Sequence, residues 1–158
     1  MLDNTEIIKR HADTVYRIAY SYVRNKTDAD DIFQEVFLRL VKKKPDFEND
    51  EHCKAWLIRV TVNCSKKHLR FRSRKSEIIE DTFVFNDPAE SILDSILMEL
   101  EPKYRAVIHL FYYEDRKTSE ISDILGIKES TVRTQLTRAR RILGDKLREA
   151  DIDVKEYL

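Results

Sequence analysis

The sequence predicts an all-α protein of two small helical domains joined by an acidic linker, the second containing a helix-turn-helix. Its 158 residues include only 2 Gly and 3 Pro, whereas the usual Gly frequency of ~7% would give about 11. Turns that need a positive φ are therefore few, which disfavours sheets built on tight turns. Apolar residues instead recur at steps of three and four, the spacing of amphipathic helices. An acidic segment, residues 76–101, contains no Lys or Arg and separates two basic stretches.

Three helices are predicted before the linker. Residues 5–24 form the first, and the second has Thr27 as its N-cap and ends before Pro45. Asn49 or Asp50 caps the third helix, which continues into the first basic stretch. The positions predicted to be buried in this third helix are Cys53, Trp56 or Leu57, Val60 and Cys64.

The linker is predicted at residues 75–88, so the domains span residues 1–74 and 89–158. Asp87 and Pro88 have the order of an N-cap and a first-turn proline. Two helices follow, and Pro102 opens the second of them. Their apolar positions are Ile92, Leu93, Ile96, Leu97 and Leu100 in one, and Tyr104, Val107, Ile108, Phe111 and Tyr112 in the other.

Residues 118–133 have the layout of a helix-turn-helix. A short helix begins at Thr118 or Ser119, Gly126 ends it in the left-handed conformation, and Ser130 caps the next helix. The buried face of that next helix is predicted to consist of Val132, Leu136, Ala139 and Leu143. Its opposite face carries Arg and Thr side chains, which suit a DNA major groove. An ordinary two-helix corner with a solvated basic face is the alternative.

The formal net charge of zero is a cancellation between the halves of the chain. Residues 1–75 hold 17 Lys and Arg against 11 Asp and Glu, whereas residues 76–158 hold 12 against 18. The cations concentrate in residues 59–75, which contain no acid, and again in residues 128–141. Because solvated helices usually mix signs, this order favours two anion-binding surfaces over merely solvated faces.

The chain offers no recognisable catalytic or metal-binding pattern. Its acids show no catalytic spacing with a His or Cys, and Cys64 and His68 lack further zinc ligands nearby. Cys53 and Cys64 lie about 16 Å apart along one helix, too far for a disulfide. We therefore expect a cytoplasmic protein with reduced thiols and without enzymatic activity, metal, cofactor or membrane insertion.

Two motifs, in this order, resemble a known family. The first comprises residues 28–39 (DADDIFQEVFLR), followed by Trp56 and by Asn63 seven residues later; the second comprises residues 130–133 (STVR) and 136–140 (LTRAR). Together they resemble the extracytoplasmic-function (ECF) sigma factors of bacterial RNA polymerase, in the sigma-70 family. The resemblance extends from about Ile8 to Leu147.

The resemblance implies a sigma factor that directs core RNA polymerase to promoters and assists promoter melting. The first domain would bind the clamp helices of the largest polymerase subunit and the -10 element, and the second would bind the -35 element and the flap of the second largest subunit. The implied polymerase-binding residues are Asp31, Gln34, Glu35 and Phe37. Those implied for the -10 region are Asn63, Lys66, Lys67, Arg70, Arg72 and Arg74. Those for the -35 region are Ser130, Thr131, Arg133, Thr134, Gln135, Thr137, Arg138 and Arg141.

The family also implies an anti-sigma factor, often anchored in the membrane. An alternative is a helix-turn-helix regulator that binds operator DNA without serving as a polymerase subunit. The chain departs from the family pattern at Lys67, where an acid is frequent, and at Glu101, which separates Leu100 from Pro102. Trp56 is predicted to be in the core rather than on a base, and the acidic linker is interpreted as a mimic of a nucleic-acid strand.

Overall fold

The computed structural model describes residues 3–75 and 88–150, except for the side chains of residues 73–75 and 88–92. Seven α-helices and one π-helical segment account for most of this part of the chain, and no strand occurs in it, so the predicted all-α class is confirmed. The elements are α1 (Asn4–Val23), α2 (Lys26–Lys43), α3 (Asp50–Lys75), α4 (Pro88–Glu99), α5 (Pro102–Ile108), the π-helical segment (His109–Tyr113), α6 (Thr118–Leu125) and α7 (Glu129–Glu149). The chain divides into two compact units, Met1–Asp81 and Thr82–Leu158. The predicted linker, with its Asp87 cap, lies outside the described residues, apart from Lys75 and Pro88 at its ends.

In the first unit, α1, α2 and α3 pack against one another. Each helix contributes one apolar face to a common core, as the spacing of its apolar residues predicts. Side chains with less than 2% of their surface exposed include Val15, Ile18, Ile32, Leu40, Leu57 and Ile58.

The N-cap of α2 is Asn25 rather than the predicted Thr27. Asn25 is fully buried, and its side-chain oxygen accepts a hydrogen bond from the Asp28 backbone N–H at 2.8 Å. Its extended backbone, with φ of −146°, is that of a cap residue, whereas Thr27 lies inside the helix and is exposed. The preceding Arg24 adopts φ of 60° and ends α1, so a single joint of two residues connects the helices.

The third helix begins as predicted, but the side chains that it buries differ in part from the prediction. Asn49 caps it, accepting the His52 backbone N–H at 2.8 Å. Leu57, fully buried, takes the core position, while Trp56 is half-buried and packs edge-to-face on Phe47 with ring centroids 5.8 Å apart. Of the two alternatives predicted for this position, Leu57 is therefore the fully buried one, and Trp56 is only partly buried. Val60 is also only half-buried, and Val62 is buried in its place.

The start of α3 is tied to α1 through Asp50. One carboxylate oxygen, Oδ1, lies 2.9 Å from Nε2 of His11 and 3.2 Å from the guanidinium of Arg10. Burial alone would raise the pKa of Asp50, but the hydrogen bonds from His11 and Arg10 outweigh it and hold that pKa below its usual value. His11, a buried polar residue, thereby has a partner in the fold.

In the second unit, α4, α5 and α6 each contact α7. The buried face of α7 includes all four predicted residues, Val132, Leu136, Ala139 and Leu143. Arg105 is buried in α5, and its guanidinium donates to the carbonyls of Leu100 at 2.9 Å and Met98 at 3.2 Å. Since carbonyls at a helix end lack partners within the helix, Arg105 closes the C-terminal end of α4.

The turn between α6 and α7 fits one prediction and corrects another. Gly126 has φ of 67° and ends α6, as predicted. The N-cap of α7 is Lys128, not Ser130, and it makes no side-chain capping bond. The Thr118 hydroxyl instead donates to the Glu129 carboxylate at 2.8 Å, which links the first residues of the two helices.

Among the described residues, we find no helix with the length and apolar character that crossing a membrane requires.

Candidate functional site

The exposed face of α7 forms a shallow groove. The side chains that line it are Ser130, Arg133, Thr134, Thr137, Arg138 and Arg141, all of them predicted DNA-binding residues. The other two predicted residues of this set, Thr131 and Gln135, are half-buried at its borders. The groove lies opposite the buried face, so one side of α7 packs on the core and the other side is accessible to a ligand.

The six residues that line the groove are all of polar types, and three of them are arginines. Thr134 and Thr137 each donate their hydroxyl to a backbone carbonyl one turn earlier, at 3.0 Å, which leaves oxygen lone pairs and methyl groups on the surface. Arg133 pairs with Glu129 at 3.3 Å, an exposed contact that is easily exchanged. Within the described ranges, Arg138 and Arg141 have no ion pair. Such a surface can bond to base edges, contact thymine methyl groups and bind phosphates.

Arg140 belongs to the same basic stretch but has a different role. Its Nε donates to the Tyr112 hydroxyl at 2.7 Å, and its guanidinium lies over the rings of Phe111 and Tyr112, at 5.3 and 5.5 Å from their centroids. A cation over an aromatic face is attracted by the ring quadrupole. Arg140 thus anchors α7 to the π-helical segment.

On α3, Asn63, Lys67 and Arg70 are exposed, as a nucleic-acid track requires. Lys66 is half-buried, and burial together with the nearby charge of Arg70 lowers its pKa. The side chain of Arg74, also predicted in this set, lies outside the described residues. The structure therefore brings at least three of the predicted residues to the surface of one helix.

The side chain of Arg72 makes its hydrogen bonds within the first unit. Its guanidinium donates to the Val23 carbonyl at 2.9 Å and to the Asp28 carboxylate at 3.2 Å, and only 19% of its side chain is exposed. The Asn25 side chain donates to the same two residues, at 3.1 and 2.9 Å. This cluster joins the C-terminal half of α3 to the joint between α1 and α2. The structure thus places Arg72 in the fold rather than among the exposed cations.

The predicted polymerase-binding residues separate into two groups. Asp31 and Gln34 are exposed on α2, and Glu35 beside them pairs with Arg39 at 2.9 Å and lies 3.9 Å from Lys67. Phe37 is buried, with 6% of its surface exposed, and packs edge-to-face on Phe33 with centroids 4.8 Å apart. Phe37 therefore supports the helix from beneath.

Two exposed apolar residues extend the outer face of α2. Leu38 is 56% exposed and Val41 is 43% exposed, and both follow Gln34 at helical spacing. The sequence carried this signal, because Asp31, Gln34, Leu38 and Val41 are separated by three, four and three residues. The prediction missed the apolar pair because the contacts implied by the resemblance were Asp31, Gln34, Glu35 and Phe37, which include neither Leu38 nor Val41.

Neither cysteine is paired, and both are buried. Burial raises the pKa of both thiols to about 11, with added repulsion from Asp50 at Cys53 and from Glu35 at Cys64. In the part of the chain that the structure describes, no group of three His, Cys, Asp or Glu side chains is arranged to hold a metal ion.

Comparisons with known proteins find matches to both halves of the chain. Residues 7–75 match the family model of sigma-70 region 2, and residues 90–143 match that of sigma-70 region 4. The chain is 30% identical to the RNA polymerase sigma factor SigV of Bacillus subtilis, over 92% of this chain and 91% of SigV. It is 31% identical to the ECF RNA polymerase sigma factor SigE of Mycolicibacterium smegmatis, over 90% of this chain but 60% of SigE.

Solved structures share the fold. The sigma factor RpoE of Bartonella quintana, in complex with the anti-sigma factor NepR, superposes with a TM-score of 0.78 at 21% identity, over 89% of this chain and 94% of RpoE. CnrH, in complex with the cytosolic domain of CnrY, gives a TM-score of 0.66 at 28% identity, over 94% of this chain and 88% of CnrH.

Both halves of the chain therefore match, in the order that the family requires. An operator-binding regulator with only a helix-turn-helix domain would leave the match of residues 7–75 to region 2 unexplained. The chain belongs to the extracytoplasmic-function sigma factors of the sigma-70 family and serves bacterial RNA polymerase in transcription initiation.

Proposed function

We propose that the first unit binds core RNA polymerase through the outer face of α2. The contact residues are Asp31, Gln34 and Glu35 together with Leu38 and Val41, and the partner is the pair of clamp helices of the largest subunit. The exposed apolar pair is the observation that carries this assignment. Exposed large apolar side chains rimmed by polar ones are typical of protein interfaces. Phe37 contributes by holding the helix in place.

The C-terminal half of α3 is the surface that opens the -10 element. Asn63 contacts a base edge, and the exposed cations follow the phosphate backbone. Support comes from the acid-free composition of residues 59–75 and from the exposure of Lys67 and Arg70. A melted strand needs such a basic track because its phosphates dominate affinity. Lys66 and Arg74 belong to this track, whereas Arg72 positions it.

The groove of α7 reads the -35 element, and the second unit contacts the flap of the second largest polymerase subunit. Arg133, Arg138 and Arg141 supply bidentate donors, and the groove threonines supply hydroxyl and methyl contacts. The domains of the proposal are those of the sequence prediction, residues 1–74 and 89–158 with the linker at 75–88. The protein acts in the cytoplasm and performs no catalysis of its own.

An anti-sigma factor is a further partner in this proposal. RpoE and CnrH, whose folds the chain shares, were each solved with a second protein, NepR and the cytosolic domain of CnrY. A regulator that masks the outer face of α2 would block assembly with the polymerase. Regulators of this kind are often anchored in the membrane, and that anchoring would place the regulator, not this chain, at the bilayer.

Competition for core polymerase tests the proposal. Leu38→Ala removes apolar surface that is exposed in the free protein, so folding is preserved. Burying a whole Leu side chain contributes roughly 1.5–3 kcal/mol, and 56% of Leu38 remains to be buried, so affinity for core polymerase falls about tenfold. Gln34→Ala lowers the affinity less. Lys9 is exposed on α1, and Lys9→Ala is the matched control, which competes like the wild type. Wild-type competition by Leu38→Ala would contradict the assignment of α2.

A further inference from the structure

A carboxylate lies at the start of α7, beside the groove assigned to the -35 element. Glu129 is the single acid in residues 128–141, a stretch that contains five Lys and Arg. Its negative charge opposes the approach of phosphates, which dominate the affinity of proteins for DNA. The assignment of the groove to base and phosphate contacts gives this residue no role, although its charge is unfavourable for DNA affinity.

Two side chains converge on one oxygen of Glu129. The Thr118 hydroxyl donates to Oε1 at 2.8 Å, and Nη1 of Arg133 lies 3.3 Å from the same oxygen. Thr118 is the first residue of α6, which packs on α7, so the packing of the two helices sets its position. The carboxylate is thus bonded on one side to α6 and on the other side to an arginine of the groove.

The ion pair of Glu129 and Arg133 contributes little to the stability of the free protein. The two side chains are 43% and 59% exposed, and water and salt screen the attraction between exposed charges. When DNA covers the groove it displaces water, and the same two charges attract each other more strongly because the effective dielectric constant falls. The pair therefore has its largest effect in the complex with DNA.

We propose that Glu129 is a specificity-determining positioning residue of the -35 site, an inference that rests on the proposed function of the α7 groove. The N–H donors of a guanidinium lie in one plane, so the bond from Nη1 of Arg133 to Glu129 fixes that plane and leaves other donors for a guanine edge. An arginine without such an anchor also bonds to phosphates, which carry no sequence information. Glu129 therefore lowers the affinity for DNA in general and raises the discrimination that Arg133 makes between bases.

The test measures how the full-length protein, bound to core polymerase, binds duplex DNA at one salt concentration. The probes are a promoter recovered by run-off transcription of genomic DNA, the same promoter with each -35 position substituted in turn, and a promoter-free fragment of equal length.

Arg133→Ala lowers discrimination at one -35 position about tenfold, within the range for a bidentate arginine contact. Glu129→Gln keeps an oxygen that can accept from Thr118 but removes the charge. It lowers discrimination at that same position about threefold, the scale of one screened ion pair. Affinity for the promoter-free fragment rises in Glu129→Gln, because a charge that repels phosphates is gone.

Three further variants separate positioning from a structural role. Glu129→Gln in the Arg133→Ala background changes discrimination no further, because Glu129 acts through Arg133. Thr118→Val, which removes the hydroxyl bonded to Glu129, relaxes the same -35 position without changing the charge of the groove. Asp123→Asn, which removes an exposed acid from α6, is the matched control and leaves discrimination unchanged.

The outcomes distinguish this inference from the proposed function. Wild-type discrimination in Glu129→Gln, together with a loss in Arg133→Ala, would overturn the inference and leave the proposed function intact. A uniform loss of affinity for every fragment in Glu129→Gln would also overturn it, since a damaged helix-turn-helix gives that result. Unchanged discrimination in Arg133→Ala would remove Arg133 from the base contacts of the proposed function, and this inference with it.

Discussion

Arg72 and Arg70 lie on the same helix, two residues apart, and have different roles. Composition alone groups them, because both fall in a stretch of seven cations without an acid. The partners that distinguish Arg72, the Val23 carbonyl and the Asp28 carboxylate, come from residues 44 or more positions away. A hydrogen bond over that separation depends on how three helices pack, which local sequence patterns do not encode.

Replacing Arg72 should therefore destabilise the first unit. In Arg72→Met the Asp28 carboxylate and the Val23 carbonyl lose a charged donor, so we expect the free energy of unfolding to fall by about 1–3 kcal/mol. Arg70→Met, on the exposed side of α3, should change it by less than about 0.5 kcal/mol. Urea unfolding followed by Trp56 fluorescence measures this unit selectively, because Trp56 is the only Trp. Equal losses in the two variants would contradict the structural role of Arg72.

The two thiols should be unreactive in the folded protein. Since burial raises the pKa of Cys53 and Cys64 to about 11, the thiolate fraction at pH 8 is far below that of a free cysteine. We expect alkylation by iodoacetamide to be slow at pH 8, to accelerate as the pH approaches 11, and to become fast at pH 8 in urea. Rapid labelling of either cysteine in the native protein would show that its burial is wrong.

The two glycines of the chain lie in different backbone conformations, one at the end of α6 and one inside α7. Gly126 ends α6 at φ of 67°, a conformation that costs other residues roughly 1 kcal/mol or more, although an added Cβ would meet no atom within 4 Å. Gly144 lies inside α7, where an added Cβ would meet only the flexible guanidinium of Arg148, at 3.4 Å. The same substitution therefore has opposite signs at the two positions.

We expect Gly126→Ala to lower the free energy of unfolding of the second unit by about 1 kcal/mol, and Gly144→Ala to raise it by roughly 0.5–1 kcal/mol. Thermal unfolding monitored by helical circular dichroism gives both values in one experiment. Stabilisation by Gly126→Ala would contradict the left-handed turn between α6 and α7.

The position of Arg138 in the groove of α7 predicts how its replacement changes promoter binding. If Arg138 reads a base, Arg138→Ala should weaken binding of the holoenzyme to a promoter by about 1–3 kcal/mol and relax specificity at one position of the -35 element. If Arg138 contacts a phosphate, the same variant should weaken binding uniformly across sequences. Arg148→Ala is the matched control, because Arg148 lies on the same helix, outside the groove, and pairs with Asp145 at 2.6 Å. Wild-type affinity for every sequence in Arg138→Ala would remove Arg138 from the site.

Helical periodicity was sufficient to predict the helices, the buried face of α7 and the groove on its opposite side, since side chains at steps of three and four share a face. It was insufficient for the caps of α2 and α7. Capping depends on which side chain reaches a free backbone N–H, and Asn25 reaches Asp28 because its own backbone is extended. Thr27, two residues later, also has a side chain that can cap a helix, so the residue types alone did not decide between the two positions.

The zero net charge of the chain is the sum of a basic first half and an acidic second half. Exposed cations lie on α3 and on α7, the two surfaces assigned to promoter DNA. Because long-range attraction to DNA depends on excess positive charge, a neutral chain is expected to bind promoters weakly when free. Strong binding then requires core polymerase, which supplies further contacts and joins both promoter elements in one complex.

We expect this chain to direct core polymerase to promoters through two separate DNA-binding surfaces. Run-off transcription of a genomic promoter library by core polymerase with this protein is the measurement that tests this expectation. We predict transcripts from a subset of fragments whose sequences share two elements at a fixed spacing, and we expect Arg138→Ala to reduce them. Transcription no greater than that of core polymerase alone, across the whole library, would contradict the claim.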